Sequence, residues 1–346
     1  MNLAVFLPNW IGDAVMATPA LRALRRHFAQ SHVVGVLKPY VASVLEGGDW
    51  FDEIVLQNGG PWSQGVWATA RKLRRTDLAV LFPNSFRSAL TAWLAGCKQR
   101  IGYVRYGRGS LLTHKLHPIQ DSRGNFTPSP ILDAYNRLAE AAGCPPPTRR
   151  MELFTTTRDE AAADTVWQGS GLDKYSEVVC LNTGAAFGAA KCWPVAHFAV
   201  LARDLADRRG CGVLVLCGPN ERAMADRIAA LARRPSVSSL SDYAVSLGLT
   251  KACVRRAALL VTTDSGPRHF AAAFNRPVVT LFGPTHIAWT ESYHAKAVHL
   301  QEQLPCGPCQ KRVCPLHHHR CMEELTPAAV FAAATELLNR STRAAG

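Results

Sequence analysis

The chain has 346 residues, 48% of them hydrophobic and 19% charged. That composition buries a sizeable core and excludes a disordered chain, and the length suits two domains of about 150 residues each. Lysine and arginine number 39 against 26 acidic residues, a net charge of +13, so the partner expected is anionic: nucleic acid, an anionic membrane surface or a phosphorylated substrate, the alternative being a solvated basic face.

The first residues, Met1-Asn2-Leu3-Ala4-Val5, run straight into a strand pattern. They lack the basic n-region, apolar h-region and cleavage site of a signal peptide. No stretch approaches the roughly 18 consecutive apolar residues of a membrane span. A cytoplasmic protein is expected, in which structural disulfides are disfavoured. Leu3–Leu7 reads as a buried strand and Ala14–Phe28 as the helix after it. Val33–Leu37, Glu53–Leu56 and Leu78–Phe82 read as further strands, with helical patterns over Pro61–Arg75, Ser85–Gly96 and Ile131–Ala142. Strand and helix alternate, and the strands are continuously apolar, which predicts α/β domains with parallel sheets buried on both faces.

Cys144-Pro145-Pro146-Pro147-Thr148 is stiff and cannot continue a helix. The domain junction is placed after it, giving domains 1–160 and 161–346. The pattern then restarts. Val178–Leu181, Val213–Cys217, Leu259–Thr263 and Val278–Phe282 read as strands; Pro194–Arg209, Glu221–Arg233, Pro267–Phe274 and Thr326–Asn339 read as helices. Two doubly wound domains in tandem are therefore predicted. Ligands of such sheets bind beyond the carboxyl ends of the strands, so the chemistry is sought there, in a cleft between the two sheets.

Three motifs stand at those ends. The first is Pro8-Asn9-Trp10-Ile11-Gly12-Asp13, where Gly12 allows a sharp turn or a close backbone approach. It is not G-x-G-x-x-G, so it does not point to a dinucleotide. Asp13 is either a helix N-cap or a carboxylate able to take a proton. The second, Asn182-Thr183-Gly184 through Lys191-Cys192-Trp193-Pro194, is a loop of small residues with one lysine before a helix. Open backbone N–H groups and a lysine suit a phosphate, against the reading of a plain surface lysine. The third is Thr262-Thr263-Asp264-Ser265-Gly266-Pro267-Arg268-His269, followed by Phe282-Gly283-Pro284-Thr285. Ser265 and Gly266 suit a phosphate, Asp264 could accept from sugar hydroxyls, and either Asp264 or Ser265 could instead cap the helix. His269 is a packing residue or a ligand contact. No Asp-x-Asp pair occurs in the chain, so positive charge for a diphosphate is expected from the protein rather than from a bound divalent ion.

Gly12-Asp13-Ala14-Val15-Met16-Ala17-Thr18-Pro19 resembles the N-terminal signature of glycosyltransferase family 9, the ADP-heptose:lipopolysaccharide heptosyltransferases. Lys191-Cys192-Trp193-Pro194 resembles their Lys-Arg-Trp-Pro element, with Cys192 in place of the arginine. Asp264–His269 and Phe282–Thr285 are similar to their donor-site block, and the resemblance runs from about residue 1 to 340, nearest to heptosyltransferase II. It implies a GT-B fold and an inverting transfer of heptose from ADP-L-glycero-D-manno-heptose to the lipopolysaccharide inner core, a heptosyl-Kdo2-lipid A acceptor. By the same resemblance Asp13 is the catalytic base. Donor binding falls to Thr183, Gly184, Lys191, Glu221, Asp264, Ser265, Gly266 and His269, and acceptor binding to Asn9, Trp10, Gly12, Arg105, Arg108 and Lys115. Glu221 would meet the ADP ribose or stand on a plain helix face. No cofactor is expected for catalysis.

Two features bear on partners. Residues 71–123 hold 11 basic residues against Asp77 and Asp121, which suits an anionic acceptor lying in the inner leaflet of the plasma membrane and a peripheral association with it. Of the 11 cysteines, seven are scattered, and Cys180 and Cys217 read as core thiols. Cys306, Cys309, Cys314 and Cys321 crowd together in C-x2-C-x4-C-x6-C spacing. They are expected to hold a structural zinc, with an iron–sulfur cluster, reduced thiols or disulfides as the alternatives. The rival readings are heptosyltransferase I or another family 9 enzyme with a different nucleotide sugar and, from a different class, a nucleic-acid- or metal-binding protein. No recognisable nucleic-acid-binding motif supports that last reading, and no nucleic-acid partner is expected.

Overall fold

The computed structural model describes residues 1–57, 62–184 and 187–343. The chain divides into two units, Met1–Phe154 with Ala288–Tyr293, and Thr155–Ile287 with His294–Gly346. In the first unit β1 (Asn2–Phe6), β2 (His32–Leu37), β3 (Glu53–Leu56), β4 (Leu78–Leu81), β5 (Gln99–Tyr103) and β6 (His114–Leu116) form one sheet. Its order is β3-β2-β1-β4-β5-β6, and every pairing is parallel. In the second unit β7 (Val178–Asn182), β8 (Gly212–Leu216), β9 (Val237–Ser239), β10 (Leu259–Thr263), β11 (Val278–Phe282) and β12 (Ala297–Gln301) repeat the plan. The order is β12-β11-β10-β7-β8-β9, again all parallel.

The strand sequences explain this arrangement. Every residue of β4, β7, β8, β10 and β11 is buried, as expected for parallel strands covered by helices on both faces. The winding reverses between β1 and β4 and between β7 and β10. Those switch points open a crevice at the strand carboxyl ends. Pro8–Asp13 and Phe82–Ser85 leave the sheet at the first; Asn182–Lys191 and Asp264–Gly266 leave it at the second.

Three expectations are corrected. The helix expected over Ala14–Phe28 is two helices, Ile11–Met16 and Thr18–His27. Pro19 has no N–H to give to the Val15 carbonyl, and the Thr18 hydroxyl donates to it instead at 2.7 Å. The boundary expected at residue 160 falls inside the helix Thr157–Gly169, which belongs wholly to the second unit. Thr156 and Asp159 close a capping box at its start, and Glu160 pairs with Arg255 and Arg256 of the helix Leu247–Arg256 at 2.9 and 2.8 Å. The short segment Ala288–Tyr293 joins the first unit, where Tyr293 donates its hydroxyl to Asp133 at 2.6 Å.

Candidate active site

At the second unit's switch point the side chains are already committed to one another. The Lys191 ammonium donates to Asp264 Oδ2 at 2.5 Å and to the Asp264 carbonyl at 3.1 Å. Arg268 reaches Asp264 Oδ1 at 3.3 Å, and the Thr285 hydroxyl donates to Oδ2 at 2.7 Å. Burial would raise the Asp264 carboxyl, but the charges of Lys191 and Arg268 and the hydrogen bonds of Lys191 and Thr285 outweigh it and hold it at about 2. Asp264 therefore does not present an open carboxylate to a sugar; it is the hub that fastens β10 to the Lys191 loop. Lys191 is engaged there as well. Two of its N–H groups go to Asp264, and its ammonium lies 4.7 Å from the centre of the Phe187 ring.

Around that hub the loops are held close. Asn182, the last residue of β7, donates to Ser265 Oγ at 2.9 Å and to Thr262 Oγ1 at 3.0 Å. Thr263 Oγ1 donates to the Gly184 carbonyl at 2.6 Å. A Cβ at Gly184 would stand 2.8 Å from Glu221 Oε1, so glycine is what admits Glu221 beside the end of β7. The Glu221 carboxylate accepts from the Gly218 N–H at 2.8 Å. Thr183 is buried, with no hydrogen-bond partner for its hydroxyl among the described residues. Gly266 is the cap residue of the helix Pro267–Ala273, and neither Ser265 nor Asp264 caps it. His269 is buried, and burial, with the Arg268 charge adding to it, pushes its imidazole well below the ordinary value. It stays neutral, and its Nδ1 has no hydrogen-bond partner among the described residues. Cys192 is half-buried; burial, then the Glu221 charge, raises its thiol, so it brings no charge to the site.

The cysteine segment packs onto the same loop. The Ala190 N–H donates to the Arg312 carbonyl at 3.0 Å, and His319 Nε2 lies 2.8 Å from the Ala190 carbonyl. Cys306, Cys309, Cys314 and Cys321 are free thiols, and Cys306 Sγ is 4.0 Å from His318 Nε2. Among the described residues no group of three or more histidine, cysteine or acidic side chains is arranged to hold a metal ion. Burial pushes the Cys321 thiol up to about 11, and Cys309, Cys314 and Cys306 nearby add to it, so the four cysteines share one neighbourhood.

At the first unit's switch point Asp13 lies in the first turn of the helix Ile11–Met16, whose cap residue is Trp10. The N-cap alternative for Asp13 is therefore corrected: it stands at the third helical position. Its charge reaches the buried Tyr135, whose phenol is raised by burial and further by Asp13. Tyr135 packs on Phe82 at 5.2 Å. Both rings line a cavity of about 120 Å³, whose wall also includes Asn84, Arg105, Phe126 and Arg137. The Arg105 guanidinium lies over the Phe126 ring at 3.8 Å, and its Nε has no hydrogen-bond partner among the described residues. A delocalised cation against apolar walls suits an amphipathic anion.

Arg108 does not join it, and its assignment to acceptor binding is corrected. It is fully buried. Its guanidinium donates to the carbonyls of Tyr103 (2.9 Å), Pro83 and Ser85 (3.3 Å), to Ser88 Oγ (3.2 Å) and to Asn84 Oδ1 (3.3 Å). Arg108 thus moulds the loop that leaves β4. Burial, with the Arg105 charge adding to it, pulls it down to about 10. Lys115 is exposed on the edge strand β6. Asn9 and Trp10 are exposed, Gly12 is half-buried, and the Asn9 carbonyl accepts from Tyr40 at 2.6 Å.

Residues 66–319 match glycosyltransferase family 9 (heptosyltransferase). The chain belongs to this family. It is 26% identical over 355 residues to lipooligosaccharide heptosyltransferase 2 of Campylobacter jejuni, covering 99% of both chains. It is 27% identical to lipopolysaccharide heptosyltransferase 2 of Escherichia coli K12 over 98% of this chain and 99% of that one. The solved structure of E. coli ADP-heptose lps heptosyltransferase II superimposes with a TM-score of 0.79 at 24% identity, covering 99% of this chain and all of that one. As a family 9 glycosyltransferase, the chain carries the two α/β units of the GT-B fold. Sequence reasoning did not find Asn182, Thr285 and Arg268 as partners of the donor-site block, although all three lie within the quoted motifs. Phe82, Tyr135 and Arg137 carried no motif at all, and only the β4–β5 side of the sheet brings them together.

Proposed function

We propose that this family 9 enzyme is a heptosyltransferase II that transfers heptose from ADP-L-glycero-D-manno-heptose to heptosyl-Kdo2-lipid A with inversion. The observation that carries the reading is the full-length likeness to two heptosyltransferases 2. The acceptor hydroxyl oxygen attacks the anomeric carbon, the bond from that carbon to the diphosphate breaks, ADP leaves, and the hydroxyl proton passes to Asp13. The Asp13 charge acts on Tyr135, one of the rings that line the first unit's cavity. That cavity, with Arg105 over Phe126, would take an anionic part of the acceptor. Thr183, Gly184, Glu221, Ser265 and Gly266 would form the donor's bed, with the Lys191–Asp264 hub holding its shape.

The basic stretch gives the reading its location, the cytoplasmic face of an anionic membrane, touched peripherally. No helix among the described residues is long and apolar enough to cross a membrane. Arg71 and Lys72, in the last turn of the helix Trp62–Lys72, and Arg74 just after it are exposed, and Trp67 on that helix and Trp93 on Phe86–Leu94 are exposed as well. Thermal stabilisation separates this reading from a nucleic-acid-binding protein. ADP at about 100 times its Kd should add roughly 2.7 kcal/mol, and oligonucleotides at physiological salt should add none. Stabilisation by oligonucleotide and not by ADP would overturn it.

A further inference from the structure

The charge at the donor site poses a problem. Lys191 and Arg268 share the single Asp264 carboxylate and leave only one buried positive charge between them, Cys192 is a neutral thiol and His269 is neutral. A departing nucleoside diphosphate needs positive charge where its oxygens develop charge. The cysteine segment brings one cation to this place. Arg312 lies with its guanidinium carbon 5.5 Å from the centre of the Phe187 ring, the ring that Lys191 also approaches. It is exposed, and among the described residues no carboxylate forms an ion pair with it.

Its backbone is fixed in three ways. The Arg312 carbonyl accepts from Ala190. A Cβ at Gly188 would stand 2.5 Å from that carbonyl oxygen, so the chains touch only because residue 188 is glycine. The Gln310 N–H donates to the Pro284 carbonyl at 2.7 Å, one residue before Thr285 of the hub. An exposed arginine on a pinned backbone, its guanidinium near a ring, is pre-organised to grip phosphate oxygens with paired N–H groups.

We propose that Arg312 binds the diphosphate of the nucleotide-sugar donor, and that the cysteine segment serves as the scaffold that delivers it. The proposal rests on the reading of the second unit as a nucleoside-diphosphate-sugar site. Isothermal titration of the full chain with ADP and with adenosine tests it, using Arg312→Ala, Arg312→Lys and, as a neighbouring-cation control, Lys311→Ala. Losing a charge-assisted pair of hydrogen bonds should weaken ADP about 10- to 100-fold in Arg312→Ala. Adenosine, which has no phosphate, should bind that variant as it binds the parent. Arg312→Lys should regain part of the ADP affinity, and Lys311→Ala should stay within two-fold of the parent. Unchanged ADP affinity in Arg312→Ala, equal losses for ADP and adenosine, or an equal loss in Lys311→Ala would each overturn the proposal while leaving the donor site standing. Failure of the parent to bind ADP would sink both.

Discussion

Two arginines and one aspartate carry different meanings in sequence and in structure. Arg108 belongs to a basic run and sits after a glycine turn, which reads as exposed; its five acceptors were invisible because they lie 5 to 25 residues away. Arg108→Ala would leave buried carbonyls without donors, so it should lower stability by on the order of 3 kcal/mol, measured as a shift in urea midpoint. Loss of acceptor use with an unchanged midpoint would return Arg108 to the acceptor site. Arg312 was illegible for the opposite reason: nothing in its neighbours hints that it lies beside Lys191, more than a hundred residues away in sequence. Asp264 was legible as a site residue but not as a buried one. Its folded carboxyl is depressed to about 2 from an ordinary 3.8. Its pairing therefore contributes fully above about pH 4 and is lost as pH falls through about 2, on the order of 2 kcal/mol. Urea midpoints of the parent should fall between pH 4 and 2, and in Asp264→Asn, less stable throughout because Lys191 and Arg268 lose their partner, that fall should be shallower. An identical acid limb in the two proteins would show that the hub is not what titrates.

Elements that are apolar along their whole length were the easiest to read. β1, β4, β7, β8, β10 and β11 sit where the apolar runs put them, because burial on both faces leaves a continuous signal. Four strands were not read, three of them (β6, β9 and β12) at sheet edges and β5 next to one, whereas the edge strand β3 was read as Glu53–Leu56. β5 (Gln-Arg-Ile-Gly-Tyr) and β6 (His-Lys-Leu) carry the charge of the basic run, β9 is Val-Ser-Ser, and β12 contains His299. Edge positions need less apolar surface, so a parallel strand there resembles a loop. The capping box at Thr156 was present in the sequence, and it marks the true start of the second unit. The loop from Gly188 to Lys191 shows the limit of such reading: its small residues suggested a phosphate cradle, whereas Gly188 also admits the Arg312 backbone. Gly188→Ala should force the two chains apart and cost about 1–3 kcal/mol. The sharper readout is hydrogen exchange at the Ala190 amide, which donates to Arg312; it should speed up in the variant, and unchanged protection would show that the cysteine segment is held by other contacts.

For the whole molecule, the family and fold follow from the likeness to known heptosyltransferases, while the proposed substrate and membrane contact rest on that likeness together with charge and site. The basic run is less uniform than its count implies. Arg108 is buried, Lys98 is paired with Asp77 at 2.8 Å, and Arg105 faces the cavity, so the exposed basic residues that remain for a membrane surface are Arg71, Lys72, Arg74, Arg75, Lys115 and Arg123, the first four clustered at one helix end. Each basic residue near an anionic bilayer is worth about 1 kcal/mol, screened over about 8 Å at physiological salt. Co-sedimentation with anionic liposomes should therefore occur at low salt, fall with moderate salt, and be lost on replacing Arg71, Lys72 and Arg74 together with glutamate; a triple variant that sediments like the parent would remove this face from membrane contact. The most direct measurement is transfer of heptose by the purified enzyme from ADP-L-glycero-D-manno-heptose, offered Kdo2-lipid A and heptosyl-Kdo2-lipid A in separate reactions. The account predicts product from heptosyl-Kdo2-lipid A and none from Kdo2-lipid A, with the rate lowered about 10²- to 10⁴-fold in Asp13→Asn. It would be contradicted by transfer to Kdo2-lipid A alone, by no transfer from this donor to either acceptor, or by an Asp13→Asn variant as fast as the parent.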